Sequence, residues 1–143
     1  MWFLFVALVF SVQLVDVEAL GFTQSVAVSG RLFCNNRPAS NIRLKLYEDD
    51  GWFEMDDLMA EGRTDAQGNF FLSGQEREFT KIEPVLNIYF NCNDGLMPCD
   101  RKLKIFIPKS YVSDGAIPYE VYKVGVLNLD GKFAGETRDC LNR

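Results

Sequence analysis

The 143-residue chain contains no histidine. Ser-His-Asp hydrolysis, Cys-His nucleophilic chemistry and zinc sites with imidazole ligands all depend on that side chain. Serine hydroxyls therefore lack their usual activating base, and the sequence has no nucleophile-elbow motif. No resident metal or cofactor is expected. The composition favours a protein that binds over a protein that catalyses.

Long apolar runs are also missing after the N-terminus, so no transmembrane segment is expected. The first twelve residues, "MWFLFVALVFSV", form an apolar run that is short for a membrane span. Val17-Glu18-Ala19 then places small residues where a signal peptidase reads them. This pattern predicts a signal peptide over residues 1–19 and a secreted, extracellular domain over 20–143. A signal anchor and a buried N-terminal helix are the alternatives.

Basic charge is scarce, with 15 Lys and Arg against 20 Asp and Glu and a net charge of −5. An acidic chain is a poor nucleic-acid binder, although a local basic patch remains compatible with this charge. The four cysteines form an even set in a short chain with a signal peptide. That usage is typical of two disulfides in an oxidising compartment.

Sustained helical periodicity is absent, and apolar residues instead alternate with polar ones. In "NIRLKLYE", for example, Ile42, Leu44 and Leu46 are expected to point inward. "VLNIYFNC" and "RKLKIFIP" show the same period of two, and "YEVYKVGVLNL" is expected to place Val124 and Val126 inward. Turn-rich segments such as "TDAQGN" and "SDG" separate these runs. The pattern predicts an all-β antiparallel sandwich of seven to eight short strands.

Five segments in order, from "VSGRLFCNNRPASNIRLKLYE" to "LNLDGKFAGETRDC", carry a family likeness. Through them the chain resembles the transthyretin-like family of secreted nematode proteins, from about Val26 to Cys140. The resemblance implies a sandwich of two four-stranded sheets. It also implies that the strands 42–47, 86–92 and 103–107 are neighbours in one sheet. The family has no uniform activity, and some members are thought to act as extracellular ligands or adaptors.

The cysteines admit three interpretations: a metal site, a redox pair or structural disulfides. An all-Cys zinc site and a redox pair both call for CxxC spacing, which the chain lacks. We therefore expect Cys92 and Cys99 to close a turn. Cys34 and Cys140 then pair by elimination. The implied topology supports that pair, because it places the first and last strands on either side of the seventh predicted strand, "YEVYKVGVLNL", both antiparallel to it.

The outward residues of three strands give the sharpest binding hypothesis. In the implied strand order they form a basic, aromatic face that suits an anionic lipid headgroup or an acidic extracellular partner. An ordinary solvated sheet face is the alternative, because half-exposed strands alternate in the same way. The residues are Arg43, Lys45, Tyr47, Asn87, Tyr89, Lys102, Lys104 and Phe106.

Two loops are further candidate sites. The segment Glu48 to Asp57 holds six carboxylates, which indicate a solvated acidic loop or a weak calcium site. Trp52 and Phe53 in its middle are candidate binding anchors, or they cap the sandwich. In "TDAQGNFF", only Asp65 offers a carboxylate, so a hairpin turn with Gly68 at positive φ is expected.

The sequence thus predicts a secreted binding or adaptor protein without catalytic activity. The alternative is an oligomeric carrier of a small apolar ligand, which the resemblance to transthyretin suggests. The enzymes of that fold hydrolyse 5-hydroxyisourate with histidines and a C-terminal Tyr-Arg-Gly-Ser motif. This chain has neither. Its oligomeric state cannot be read from the sequence.

Overall fold

The computed structural model describes residues 21–49 and 56–141, and these residues form ten β-strands and one 3₁₀ turn. The predicted signal peptide, Trp52 and Phe53 lie outside the described residues. The strands are β1 Phe22–Cys34, β2 Arg37–Pro38, β3 Arg43–Glu48, β4 Asp57–Arg63, β5 Asn69–Glu78, β6 Pro84–Phe90, β7 Asp100–Phe106, β8 Ser113–Asp114, β9 Val121–Asn128 and β10 Thr137–Asp139. The 3₁₀ turn covers Lys109–Tyr111.

The strands form two sheets of five. In sheet 1, β1 pairs with β5 along one edge and with β8 and β9 along the other. The short strand β2 pairs with the last two residues of β1. Sheet 2 has the order β10-β7-β6-β3-β4. The all-β sandwich is confirmed, with more strands than predicted because β2, β8 and β10 are only two or three residues long. The described residues contain no helix long and apolar enough to cross a bilayer.

Alternating side chains from both sheets meet in one core, as the period of two predicted. Leu44, Leu46, Leu86 and Ile88 of sheet 2 are fully buried. The sheet 1 side of the same cluster contains Val26, Val28, Leu32, Phe70 and Leu72. The predicted neighbours are confirmed, because β3 pairs with β6 and β6 pairs with β7, both antiparallel.

The register of β9 corrects one expectation. Between Ser29 and Gly30 of β1 the ladder skips one residue of β9, so β9 carries a bulge just before Gly125. The extra residue reverses the alternation after it. Val124 contacts the core as predicted, but Val126 is 67% exposed and Leu127 contacts the core in its place.

The implied topology placed the first and last strands on either side of the predicted seventh strand, which is β9, and this expectation is wrong. β9 runs parallel to β1, and β10 belongs to sheet 2, where it pairs with β7. The turn at Asp65–Gly68 is also not a hairpin turn, because it leads from β4 in sheet 2 to β5 in sheet 1. Gly68 has the expected positive φ, at 80°.

Candidate binding face

The outward residues of β3, β6 and β7 lie in rows across sheet 2, as predicted. Arg43 is opposite Tyr89, and Tyr89 is opposite Lys102. In the next row Lys45, Asn87 and Lys104 are neighbours, and the third row holds Tyr47, Val85 and Phe106. The edge strand β4 extends the first two rows with Arg63 and Glu61. We call this outer surface of sheet 2 the basic face.

Tyr89 lies within the first row of the basic face. It is only 3% exposed and Asn87 only 4%, so the expectation that β6 exposes these two side chains is wrong. The ammonium groups of Lys45 and Lys102 are 5.7 Å and 5.8 Å from the centroid of the Tyr89 ring, within cation–π range. Asn87 Nδ2 donates to the Tyr89 hydroxyl at 3.4 Å. Burial raises the pKa of Tyr89 to about 12.

Acidic residues on the edge strands neutralise part of the basic face. Lys102 forms an ion pair with Asp139 of β10 at 3.3 Å, and Arg43 lies 4.0 Å from Glu61 of β4. The sequence reasoning did not place these carboxylates, because it did not assign β4 or β10 to the two edges of this sheet. The face is therefore less basic than the outward residues alone suggested.

Lys104 and Phe106 form the most accessible part of the basic face. Lys104 is exposed, and Phe106 keeps 65% of its surface in solvent. The Lys104 ammonium lies 5.9 Å from the centroid of the Phe106 ring. A cation therefore stands beside a large apolar group on the outer surface of sheet 2, where Leu58 of β4, 49% exposed, extends the same row as Phe106.

The disulfides are paired differently from our prediction. Cys34 bonds to Cys92, and Cys99 bonds to Cys140. The first bond links the end of β1 in sheet 1 to a cysteine two residues beyond the end of β6 in sheet 2. The second bond joins the two residues next to the last pair of the β7–β10 ladder, in which Asp100 lies opposite Asp139. Both bonds are structural, and each crosses between distant parts of the chain.

A buried arginine near these bonds was missed by the sequence reasoning. Arg101 lies on the same inward side of β7 as Leu103, and it is only 4% exposed. Its guanidinium lies 4.6 Å from the centroid of the Phe90 ring and forms an ion pair with Glu136 at 2.6 Å. Its alternation with core residues was the available signal. Arg101 anchors the C-terminal segment to the sandwich.

The two candidate cation sites have different outcomes. Asp65 is engaged in its turn, because its Oδ1 accepts hydrogen bonds from the backbone N–H groups of Gln67 and Asn69 at 2.9 Å and 2.8 Å. In the acidic segment, oxygens of Glu48 and Asp57 lie within 4.8 Å of each other and of Glu78. Acidic groups often gather in this way without an ion, and we assign no calcium site.

These features define a small two-sheet β-sandwich that is cross-linked by two disulfides and has a basic outer face. The chain belongs to the transthyretin-like family, whose family model matches residues 29–108. Three relatives from Caenorhabditis elegans agree. Transthyretin-like protein 5 is 50% identical over 86% of this chain and 88% of its own length. Transthyretin-like protein 33 is 48% identical, covering 85% of both chains, and transthyretin-like protein 2 is 44% identical, covering 89% of both.

Among solved structures, a 9R-lipoxygenase from Cyanothece aligns with 74% of this chain and 16% of that chain. The TM-score is 0.42 and the sequence identity 19%. This likeness is too weak to bear on fold or function.

Proposed function

We propose that this protein is a secreted extracellular binding or adaptor protein without catalytic activity, and that its basic face binds anionic lipid surfaces. The N-terminal sequence pattern supports secretion, with residues 1–19 removed. The two disulfides are in keeping with an oxidising compartment. The lack of histidine supports binding over the histidine-dependent classes of catalysis.

The pair Lys104 and Phe106 carries the lipid proposal. An exposed aromatic ring inserts at the level of the headgroups, while an adjacent ammonium attracts their negative charge. Lys45 lies in the same row as Lys104, on the other side of Asn87. Lys45 therefore adds a second cation in the row next to the aromatic group.

Vesicle co-sedimentation tests the proposal with a matched control on the opposite sheet. Phosphatidylcholine vesicles are compared with vesicles that also contain phosphatidylglycerol. We expect salt-sensitive binding to the anionic vesicles only, and we expect Lys104→Glu/Phe106→Ser to reduce it strongly. The control is Lys123→Glu/Phe71→Ser. These two residues flank Ser29 in one row of sheet 1 and are also exposed, so the control makes the same changes on another face.

Equal binding to neutral and anionic vesicles, or equal losses in both double variants, would contradict the lipid proposal. If neither vesicle type is bound and an acidic extracellular protein is, the face serves a protein partner. The carrier alternative has its own readout in sedimentation velocity. A stable tetramer that takes up apolar dyes would favour the carrier over the adaptor.

A further inference from the structure

One row of the basic face concentrates positive charge at the end of sheet 2. Arg63 of β4 lies directly opposite Arg43 of β3, and Arg43 lies opposite Tyr89 of β6. Lys102 completes the row. Like charges directly opposite each other on neighbouring strands destabilise a sheet unless a counter-charge is present. Asp139 supplies a counter-charge to Lys102, so the two arginines are the part of the row that needs a source of negative charge.

The protein itself satisfies these two arginines poorly. The contact of Arg43 with Glu61 is 4.0 Å long, at the limit of an ion pair. Arg43 Nε is buried and has no hydrogen-bond partner among the described residues. Arg63 donates to the carbonyl oxygen of Asn41 at 3.0 Å, and no ion pair of Arg63 occurs within residues 21–49 and 56–141. Arg63 is exposed, so the buried Arg43 Nε is the donor of this pair that lacks a partner, and a buried unpaired donor needs an explanation.

A cleft of about 410 Å³ opens at these two side chains. That volume is in the range of small-molecule sites. Tyr89 borders it. Asp100 is the one carboxylate of the lining, so the arginine side is where an anion is favoured. The remaining lining residues are Asn41, Ile42, Phe90 and Asn91.

Guanidinium groups match oxyanions because their N–H donors form a planar fork that bonds two oxygens at once. Two such forks offer more donors than the two oxygens of one carboxylate can readily accept, whereas a phosphate presents three or four oxygens. We propose that the cleft between Arg43 and Arg63 is a phosphate site. It binds the phosphate group of a small metabolite or of a lipid headgroup. The lipid case rests on the proposed function and locates the headgroup phosphate on the basic face.

NMR titration of the disulfide-intact protein tests the site, with the arginine side-chain Nε–H resonances as reporters. The probe is glycerol 3-phosphate, compared with acetate at the same ionic strength. We expect saturable shifts of Arg43 and Arg63 with the phosphate and at least about tenfold weaker binding in Arg43→Lys and Arg63→Ala, as the loss of one charge-assisted contact predicts. Arg43→Lys keeps the charge and loses the fork. The control is Arg37→Ala, an exposed arginine of β2 in sheet 1.

Three results would overturn the site: no saturable shift, equal binding of acetate, or affinities unchanged in both arginine variants. Dispersed backbone spectra show that each variant is folded, and the wild-type titration is decisive even if one variant is not. The two proposals fail separately. Glycerol 3-phosphate binding without vesicle binding leaves the phosphate site standing and removes the lipid function. If the protein binds vesicles but not glycerol 3-phosphate, and Arg43→Lys and Arg63→Ala do not weaken the vesicle binding, only the phosphate site is excluded.

Discussion

Arg101 and Glu136 form a two-pronged ion pair, with Nε–Oε1 and Nη2–Oε2 distances of 2.6 Å and 2.7 Å. Arg101 also donates to the carbonyl oxygens of Cys92 and Leu129 at 2.8 Å and 3.2 Å and to that of Gly131. One side chain therefore joins the end of β6, the turn after β9 and the segment before β10. Its partners lie far apart in sequence, so the contact stabilises the tertiary structure rather than one local turn.

Removing this arginine should strongly destabilise the protein. Arg101→Ala leaves the mostly buried Glu136 carboxylate without its main partner, and breaking such pairs costs about 3–5 kcal/mol. Denaturant unfolding measures the loss, with the exposed Arg37→Ala expected within about 0.5 kcal/mol of wild type. Similar values for the two variants would show that Arg101 does not anchor the C-terminal segment.

Stability should fall in acid because of two carboxylates. Hydrogen bonds from Arg101 lower the pKa of Glu136, and hydrogen bonds from Arg138 lower the pKa of Asp94. A lowered folded-state pKa stabilises the protein above the ordinary carboxyl pKa, and that stabilisation is lost as pH falls through the folded value. We expect the free energy of unfolding to decline below about pH 4.5.

Glu136→Gln is the informative variant for this pH dependence. It should be less stable than wild type at neutral pH, and its stability should fall less steeply in acid because one linked proton has been removed. Unfolding curves collected across the acid range give both quantities. An acid slope identical to that of wild type would exclude Glu136 as a source of the pH dependence.

The disulfide pairing can be mapped on the unreduced protein. Trypsin alone cannot resolve it, since no Lys or Arg lies between Cys92 and Cys99. Cleavage before Asp94 separates these two cysteines. Mass spectrometry should then find Cys34 linked to Cys92 and Cys99 linked to Cys140. A linked pair of fragments containing Cys92 and Cys99 would contradict the structure.

Each disulfide should also make a large contribution to stability. The bonds span 58 and 41 residues, for which loop-closure entropy gives about 4 kcal/mol each. Replacing either bonded pair by alanines is expected to lower the free energy of unfolding by that order, as chemical denaturation would measure. A change below about 1 kcal/mol for either pair would contradict this expectation.

Gly68 should tolerate substitution much less well than another glycine of similar backbone angle. An alanine Cβ at position 68 would lie 2.3 Å from the carbonyl oxygen of Leu32, and φ is +80°. Gly115 has φ +90° with nothing within 4 Å of such a Cβ. Gly115→Ala should cost about 1 kcal/mol, from backbone strain alone. Gly68→Ala should cost at least about 3 kcal/mol in thermal or denaturant unfolding. Equal costs would show that the close approach of β1 is unimportant.

Local patterns were sufficient for most of the fold and for the position of the basic face. The period of two in β3, β6 and β7 decides which residues face the core, because successive side chains of a strand point to opposite faces. The outward orientation of Lys104 and Phe106 was predicted from that period. The same rule failed at Val126, where one extra residue in β9 reverses the alternation. A bulge of this kind has no reliable signature in a single sequence.

The sequence by itself determined that this chain forms a β-sandwich with two disulfides and which side chains the strands of sheet 2 turn outward. Only the tertiary structure decided the partners. β7 lies between β6 and β10, and continuing either ladder by one or two residues would bring a cysteine opposite Cys99: Cys92 on one side and Cys140 on the other. The β6–β7 pairing stops at Phe90, and Cys92 instead meets Cys34 of the facing sheet. Alternation determines the face of a strand but not its neighbour, which depends on how distant segments pack.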